Sequence, residues 1–255
     1  MASRFIIGLD IGTASTKIVA AELKNGKIIL RHLYKEPTSG LRHGAVCDLA
    51  EAVPSVSRAL EQVKKLGKGA LGSVYANIGT PQIKAQHSRG IVAVSRADNE
   101  IYQDDIDRAI KASEAVNLAP NRMIVHNVTK EFVVDGVPDI INPLGLSGSR
   151  LEVNSVIIAA FTPHVKSIMR LIELSGGEIG GLVFNPTSSA RSALSKHQKE
   201  LGVALVDIGF GTTSLAVYEE NKLLGVHIFP VGAGNITNDL AVGLRIPVSA
   251  AGGSF

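Results

Sequence analysis

The chain has no tryptophan, one cysteine and only 4% aromatic residues in 255, and each shortage removes a class of explanation. A single thiol, Cys47, cannot close an intrachain disulfide, which fits a reducing compartment, and it reads as a small hydrophobe. The seven histidines are scattered singly, without the paired Cys or His spacing of a zinc site. No apolar run reaches the roughly 20 residues of a membrane-spanning helix. MASRF runs straight into an apolar segment, so no leader peptide is expected and the expected location is the cytoplasm. Lysine plus arginine number 26 against 23 acidic residues, and the small group Lys64, Lys65 and Lys68 reads as solvated helix-end charge. No nucleic-acid partner is expected.

What remains, 45% hydrophobic and 19% charged, is a globular chain long enough for one large or two ordinary domains. Its organising feature is a stretch that occurs twice, GLDIGTASTK at 8–17 and LVDIGFGTTSL at 205–215. Each time an apolar β run (Phe5, Ile6, Ile7, Leu9; then Val203, Leu205, Val206) ends at an aspartate. A glycine follows one residue later, then small or hydroxylated residues, which gives strand, tight turn, strand. Glycine permits positive φ and close approach of the backbone, so that successive amides can point at phosphate oxygens. Asp10 and Asp207 would then face each other across a cleft, and two carboxylates beside a polyphosphate suit Mg²⁺.

One DIG alone is an ordinary turn; two copies with matching flanks point to a nucleotide. The nucleotide-binding set is therefore Asp10, Gly12, Thr13, Ala14 and Lys17 from the first copy. The second contributes Asp207, Gly209, Phe210, Gly211, Thr212 and Thr213. Asp10 and Asp207 are the metal ligands, and Lys17 places a positive charge on the phosphates.

Between the copies, residues 17–23 and 27–34 read as strands around an Asn25-Gly26 turn. A helix capped by Asp48 runs towards Gly67 through Val53, Val56, Leu60 and Val63, with Pro54 kinking it or marking its first turn. A strand follows at 73–79. Gly67, Gly69 and Gly72 spell GxGxxG, but after a helix and before a strand, the reverse of the dinucleotide-binding order, and that reading is rejected. Residues 82–94, a helix carrying Ile106, Ala109, Ile110 and Ala112, and β runs at 123–134 and 151–161 form a strand-helix-strand-strand unit. Beyond it lie a helix (164–175), a strand (179–184) and a helix (186–199). The second copy continues through a hairpin at Glu220-Asn221 and a strand at 223–229. Gly232, Gly234 and Asn235 then lead into a helix at 236–244, either as amides at a helix N-terminus ready for an anion or as a glycine-rich loop with an Asn cap. The alternation argues for an α/β layer fold.

DIGTASTK and DIGFGTTS resemble the two phosphate motifs of the actin-like ATPases. GIVAVSRADNEIYQDDIDRAI, HNVTKEFVVDGV, NPLGLSGSRLEV and PVGAGNITNDLAVGLRIPV resemble, within that superfamily, the FtsA family of bacterial cell-division proteins, over about residues 5–248. The resemblance implies an α/β, actin-like (ribonuclease-H-like) ATPase domain from 1–80 and 163–200. It also implies a small α+β strand-helix-strand-strand insert at 81–162, the beginning of a second actin-like domain at 201–248 and an atypical tail at 249–255. It further implies ATP with Mg²⁺, self-association, and a role in septum assembly linking the FtsZ ring and other divisome proteins to the membrane.

The family's adenosine-binding GG motif and its membrane-binding C-terminal helix have no counterpart after Arg245, and the ending VSAAGGSF reads as a tag, a frameshift or a truncated gene end. Asn185 stands where the family usually presents Glu and actin presents Gln to position the attacking water. An Asn can hold that water but not take its proton, which implies at most a weak ATPase; otherwise it is a plain strand-end residue before a proline. ATP and GTP are not distinguished. Two alternatives share the phosphate loops, an actin-like type IV pilus assembly protein and a sugar-kinase-like phosphotransferase. The latter needs a substrate domain and an Asp base facing the γ-phosphate, which the sequence does not offer.

Overall fold

A computed structural model of the protein describes residues 4–67 and 71–252. β1 (Arg4–Ile11), β2 (Ser15–Lys24) and β3 (Lys27–Pro37) form an antiparallel meander. Asn25 and Gly26 between β2 and β3 have φ of 51° and 73°, as a type I′ turn requires. After a small hairpin of β4 (Leu41–Arg42) and β5 (Ala45–Val46), α1 (Leu49–Lys64) opens on Asp48, whose carboxylate accepts the Glu51 amide at 3.1 Å. The helix begins ahead of Pro54 and continues past it, so Pro54 is not its first turn. Cys47, just before that cap, is exposed and so does not act as a packed hydrophobe. Lys68 and Gly69 lie outside the described residues; Gly67 follows α1 and Gly72 precedes β6 (Val74–Ile78), so the dinucleotide-binding order is not met.

β6 lies parallel to β1, and β11 (Ile179–Phe184) parallel to β6, giving a five-stranded sheet in the order β11-β6-β1-β2-β3. α1 and α3 (Thr162–Leu174) bury Val56, Leu60 and Val63 with Val165, Leu171 and Ile172 on this sheet, against Ile7, Leu9, Ile18 and Ala76.

A second sheet has the order β7-β10-β8-β9, from β7 (Lys84–Ala93), β8 (Arg122–Val134), β9 (Val137–Ile140) and β10 (Arg150–Phe161). α2 (Gln103–Ser113) packs Ile106 and Ala109 against Phe132, Val134, Leu151 and Val153. A Cβ on Gly90 would overlap the Ala109 carbonyl, which is why the helix can sit so close to β7. β9 lies between the expected β runs at 123–134 and 151–161 and was not among the expected strands. Its hairpin turns on Asp135-Gly136, with φ of 47° and 88°, an Asp-Gly signal that was there to be used.

The third sheet, β12-β13-β14, comprises β12 (Val203–Ile208), β13 (Thr213–Glu219) and β14 (Lys222–Phe229), with Glu220 and Asn221 both at positive φ between the last two. The helix expected at 186–199 is two helices, α4 (Asn185–Ala193) and α5 (Lys196–Leu201). Ser195 starts the second: its hydroxyl accepts the Gln198 amide at 3.2 Å and Gln198 Oε1 accepts the Ser195 amide at 2.9 Å, a capping box that outcompetes continuation of α4. α6 (Ala233–Leu244) and the short α7 (Val248–Ala251) end the described chain, and Gly253 to Phe255 lie outside it. A third core joins the sheets: Val156 and Ile158 of β10 meet Phe184, Ala190, Ala216, Tyr218, Leu223 and Ile228.

Candidate functional site

The two repeated stretches form two matching turns. β1 and β2 pair as far as Ile11 and Thr16, leaving Gly12, Thr13, Ala14 and Ser15 as the turn; β12 and β13 pair as far as Ile208 and Thr213, leaving Gly209, Phe210, Gly211 and Thr212. Each is closed by the same hydrogen bond. The Gly12 amide donates to the Ser15 carbonyl at 3.1 Å and the Gly209 amide to the Thr212 carbonyl at 2.9 Å.

Both turns line one cavity of about 160 Å³. A Cβ on Gly211 would lie 2.9 Å from Thr13 Oγ1, so the turns touch directly. Residues ahead of α1 fasten them: His43 Nδ1 lies 2.7 Å from the Gly211 carbonyl and the Gly44 amide donates to Thr13 Oγ1 at 3.0 Å. None of Gly12, Gly209 and Gly211 is at positive φ, contrary to the sequence expectation. Glycine serves here for space, since a Cβ on Gly12 would sit 2.8 Å from the Ser15 carbonyl.

Asp10 and Lys17 are direct cross-strand partners, and Lys17 Nζ donates to Asp10 Oδ2 at 2.8 Å with both side chains half exposed. The other carboxylate oxygen accepts Asn77 Nδ2 at 2.8 Å, while Asn77 Oδ1 accepts the Ile11 amide at 2.7 Å. Asn77 at the end of β6 thus fixes both the carboxylate and the strand end that carries it. Asp207, on the second hairpin, accepts the Ser189 hydroxyl of α4 at 3.0 Å.

Among the described residues no cluster of three or more His, Cys, Asp or Glu side chains could cage a metal. Asp10 and Asp207 line the same cavity, and such a sparse carboxylate pair fits Mg²⁺, which keeps waters and phosphate oxygens as its other ligands. Asn185 supplies a further test of fit. It lines the cavity, its Oδ1 is buried without a hydrogen-bond partner, and its side chain presses on Gly79, where a Cβ would lie 2.8 Å from Asn185 Cγ. A buried orphan acceptor calls for a donor such as a water. A second cavity of about 370 Å³ shares Asp10, Lys17, Asn77, Asn185 and Asp207 with the first as lining residues.

The structure therefore brings Asp10, Gly12, Thr13, Ala14, Lys17, Asn185, Asp207, Gly209, Phe210, Gly211 and Thr212 to one cavity. It does not bring Thr213, Gly232 or Gly234. The Thr213 hydroxyl donates to the Val231 carbonyl at 2.8 Å. At the start of α6 the amides are already used: Gly232 donates to Asn235 Oδ1 at 3.0 Å, Ala233 to the Gly209 carbonyl and Gly234 to the Phe210 carbonyl, both at 2.9 Å. The anion-site reading of that helix start is thereby corrected; its amides brace the second turn. Asn235 is the third residue of the helix and not its cap. Ser15, Gly44, Asn77, Gly79 and Ser214 line the cavity unforeseen. Asn77 carried a signal, a polar residue near the end of the apolar run VYANIG.

Comparison with known proteins adds the relatives. Residues 81–159 match the model of the SHS2 domain inserted in FtsA, and residues 204–253 that of cell division protein FtsA. The chain is 34% identical to cell division protein FtsA of Bacillus subtilis over 94% of its own length and 54% of the relative's. With the Escherichia coli K12 FtsA it shares 30% over 97% of its length and 59% of that protein's. It thus spans a little over half the length of the curated relatives it matches. Among solved structures, a PilM-PilN type IV pilus biogenesis complex superposes with TM-score 0.68 at 17% identity, over 96% of this chain and 67% of that one. MreB5 of Spiroplasma citri bound to AMPPNP gives TM-score 0.52 at 13% identity, over 98% of this chain and 61% of that one. At such identities these two neighbours establish the actin-like fold and nothing more.

Proposed function

The chain is FtsA-like, a cell-division-family sequence on the actin-like α/β fold with an SHS2 insert, and from that premise we propose that it binds the phosphate end of ATP between its two matching turns. The observation that carries this reading is the repeated closure, Gly12 to Ser15 and Gly209 to Thr212, on one shared cavity. In this reading the turn backbones of residues 12–15 and 209–212 cradle the phosphates. Lys17 supplies the cation. Asp10 and Asp207 would hold Mg²⁺, which when bound neutralises phosphate charge. Asn185 orients a water without removing its proton, so the protein is at most a slow ATPase.

The family then suggests what the binding serves. The role is septum assembly as a nucleotide-controlled component. Meeting FtsZ and other divisome proteins at the cytoplasmic face of the membrane belongs to the full-length family, whose membrane contact runs through a C-terminal helix with no counterpart in these residues. Self-association is proposed for the chain itself. No helix among the described residues is long and apolar enough to span a membrane. We assign residues 1–80 and 163–200 to the first actin-like domain, 81–162 to the insert, 201–248 to the second domain and 249–255 to the tail. The pilus alternative is less favoured, because 30–34% identity to FtsA relatives carries family information that a 17% structural likeness does not. Titration calorimetry with ATP, ADP and a non-hydrolysable analogue, with and without Mg²⁺, is the test; no Mg²⁺-dependent binding at millimolar nucleotide would end the proposal.

A further inference from the structure

β11 is the edge strand of the five-stranded sheet, so the outward amides of its backbone need partners from elsewhere. The amide of its last residue, Phe184, donates to Nε2 of His126 at 3.0 Å. That ring comes from β8, in a different sheet. It is delivered beside an irregularity in which His126 pairs with Ile158 and Ile124 with Ala159, leaving Val125 as the extra residue. Such bulges re-aim the side chains next to them. Because Nε2 accepts, the neutral ring carries its proton on Nδ1. Burial pushes the His126 pKa below its ordinary value, with a backbone hydrogen bond at Leu182 pulling the other way, so burial favours this acceptor form.

Two further observations give the bond a consequence. The Phe184 side chain is fully buried in the third core, among residues of the second and third sheets and Ala190 of α4. The next residue is Asn185, which lines the cavity between the two turns and whose Oδ1 is buried without a partner. A hydrogen bond to the Phe184 amide therefore acts one residue away from the side chain at the cavity wall. Only Gly79 allows that side chain to lie where it does, since a Cβ there would collide with it.

We propose that His126 is a positioning residue for the nucleotide cavity: by accepting the Phe184 amide it fixes the corner between β11 and α4, and with it the direction in which Asn185 enters the cavity. The inserted sheet is then part of the site's supporting structure and not an appendage. The proposal rests on the nucleotide reading for its functional consequence, but its structural half stands apart from it.

The test uses the whole chain and two variants, His126→Phe, which keeps a ring but no acceptor, and His126→Gln, which keeps an acceptor at similar reach. The Phe184 amide and the Asn185 side-chain amide are followed by ¹⁵N NMR without nucleotide, and the dissociation constants of Mg-ATP and Mg-ADP are then compared. His126→Phe should deprotect the Phe184 amide, move the Asn185 side-chain resonance and reduce the preference for ATP over ADP by about three- to tenfold, the worth of one hydrogen bond. His126→Gln should restore all three. A folded His126→Phe with the Asn185 resonance unmoved, or a His126→Gln displaced as far as His126→Phe, overturns the proposal. A wild type that binds neither nucleotide refutes the nucleotide reading, and the Asn185 resonance alone then decides for or against His126.

Discussion

Lys222 Nζ lies 2.9 Å from Glu131 Oε2 across the seam between β14 and β8. The same ammonium pairs with Asp139 and, at 3.3 Å, with Glu220, while Asn154 Nδ2 donates to Glu131 Oε1 at 2.8 Å. Lys222 and Glu131 are 19% and 17% exposed, so water screens this pair less than a surface ion pair. Next to it lies the apolar seam of Val156 and Ile158 against Tyr218 and Leu223. The strands that carry the second turn are in this way fastened to the inserted sheet by charge as well as by packing.

The first prediction follows from that pair. The Lys222 hydrogen bond, helped by Asn154, holds the Glu131 carboxyl down at about 2 from an ordinary 4.5. A depressed carboxyl adds stability that is fully present above the unfolded-state pKa and lost as pH falls through the folded one, here between about pH 4.5 and 2. The shift bounds the contribution at roughly 3 kcal/mol. Denaturant unfolding measured from pH 6 to pH 2 should show this loss in the wild type and much less of it in Lys222→Met, which should also be less stable at pH 6. Parallel curves for the two proteins would mean that the pair contributes nothing.

Lys17 should separate binding from stability. Its pairing with Asp10 is half exposed, so Lys17→Ala should change unfolding free energy by less than about 1 kcal/mol. Losing a charge-assisted phosphate contact, about 1.5 to 3 kcal/mol, should weaken Mg-ATP binding roughly ten- to a hundredfold. Equal affinities measured by calorimetry would reduce the first turn to a plain hairpin.

How much of this was legible in the sequence depended on how local the cause was. The turns at Asn25-Gly26 and Glu220-Asn221, the Asp48 cap and both phosphate-type turns are set by residues within a few positions, and they stand where the sequence put them. The break between α4 and α5 was equally local, a Ser195 and Gln198 capping box hidden inside an apparently continuous helical pattern. Other features were not local. Asn77 reaches Asp10 only because β6 pairs with β1, and the amides of α6 are spent on the carbonyls of Gly209 and Phe210 only because the helix start folds back on that turn. Whether a glycine is needed for positive φ or for close approach likewise depends on its neighbours in space, as Gly12 and Gly211 show.

Asn185 sets the expectation for turnover. An amide can orient a water but has no basicity with which to deprotonate it. Steady-state ATP hydrolysis should stay below about 1 s⁻¹, the low end of ordinary enzymes, and Asn185→Ala should lower whatever rate exists. A faster wild-type rate would place the base elsewhere in the cavity.

The final prediction concerns the outer face of the third sheet. Val206 on one strand and Ile208 with Phe229 on the next cross-strand row share that face, by register through Leu215 and Thr213, and all three are exposed. Elsewhere α6 exposes Ile236, Leu240, Val242 and Leu244, with Val242 at 79% nearly free in solvent. Exposed apolar surface of this kind favours association, and β12 is moreover the edge of its sheet, open to pairing with another strand. In the proposed reading the two turns hold only the phosphate end of ATP, so the nucleotide does little to oppose this. The 255-residue chain should therefore bind ATP weakly and self-associate. Light scattering across a concentration series should show mass rising with concentration for the wild type, and a lysine at position 208, in Ile208→Lys, should suppress that rise by charging both the face and the strand edge. A wild type that stays monomeric throughout and binds ATP at micromolar concentration would show that this face carries no association and that the cavity engages more than the phosphates.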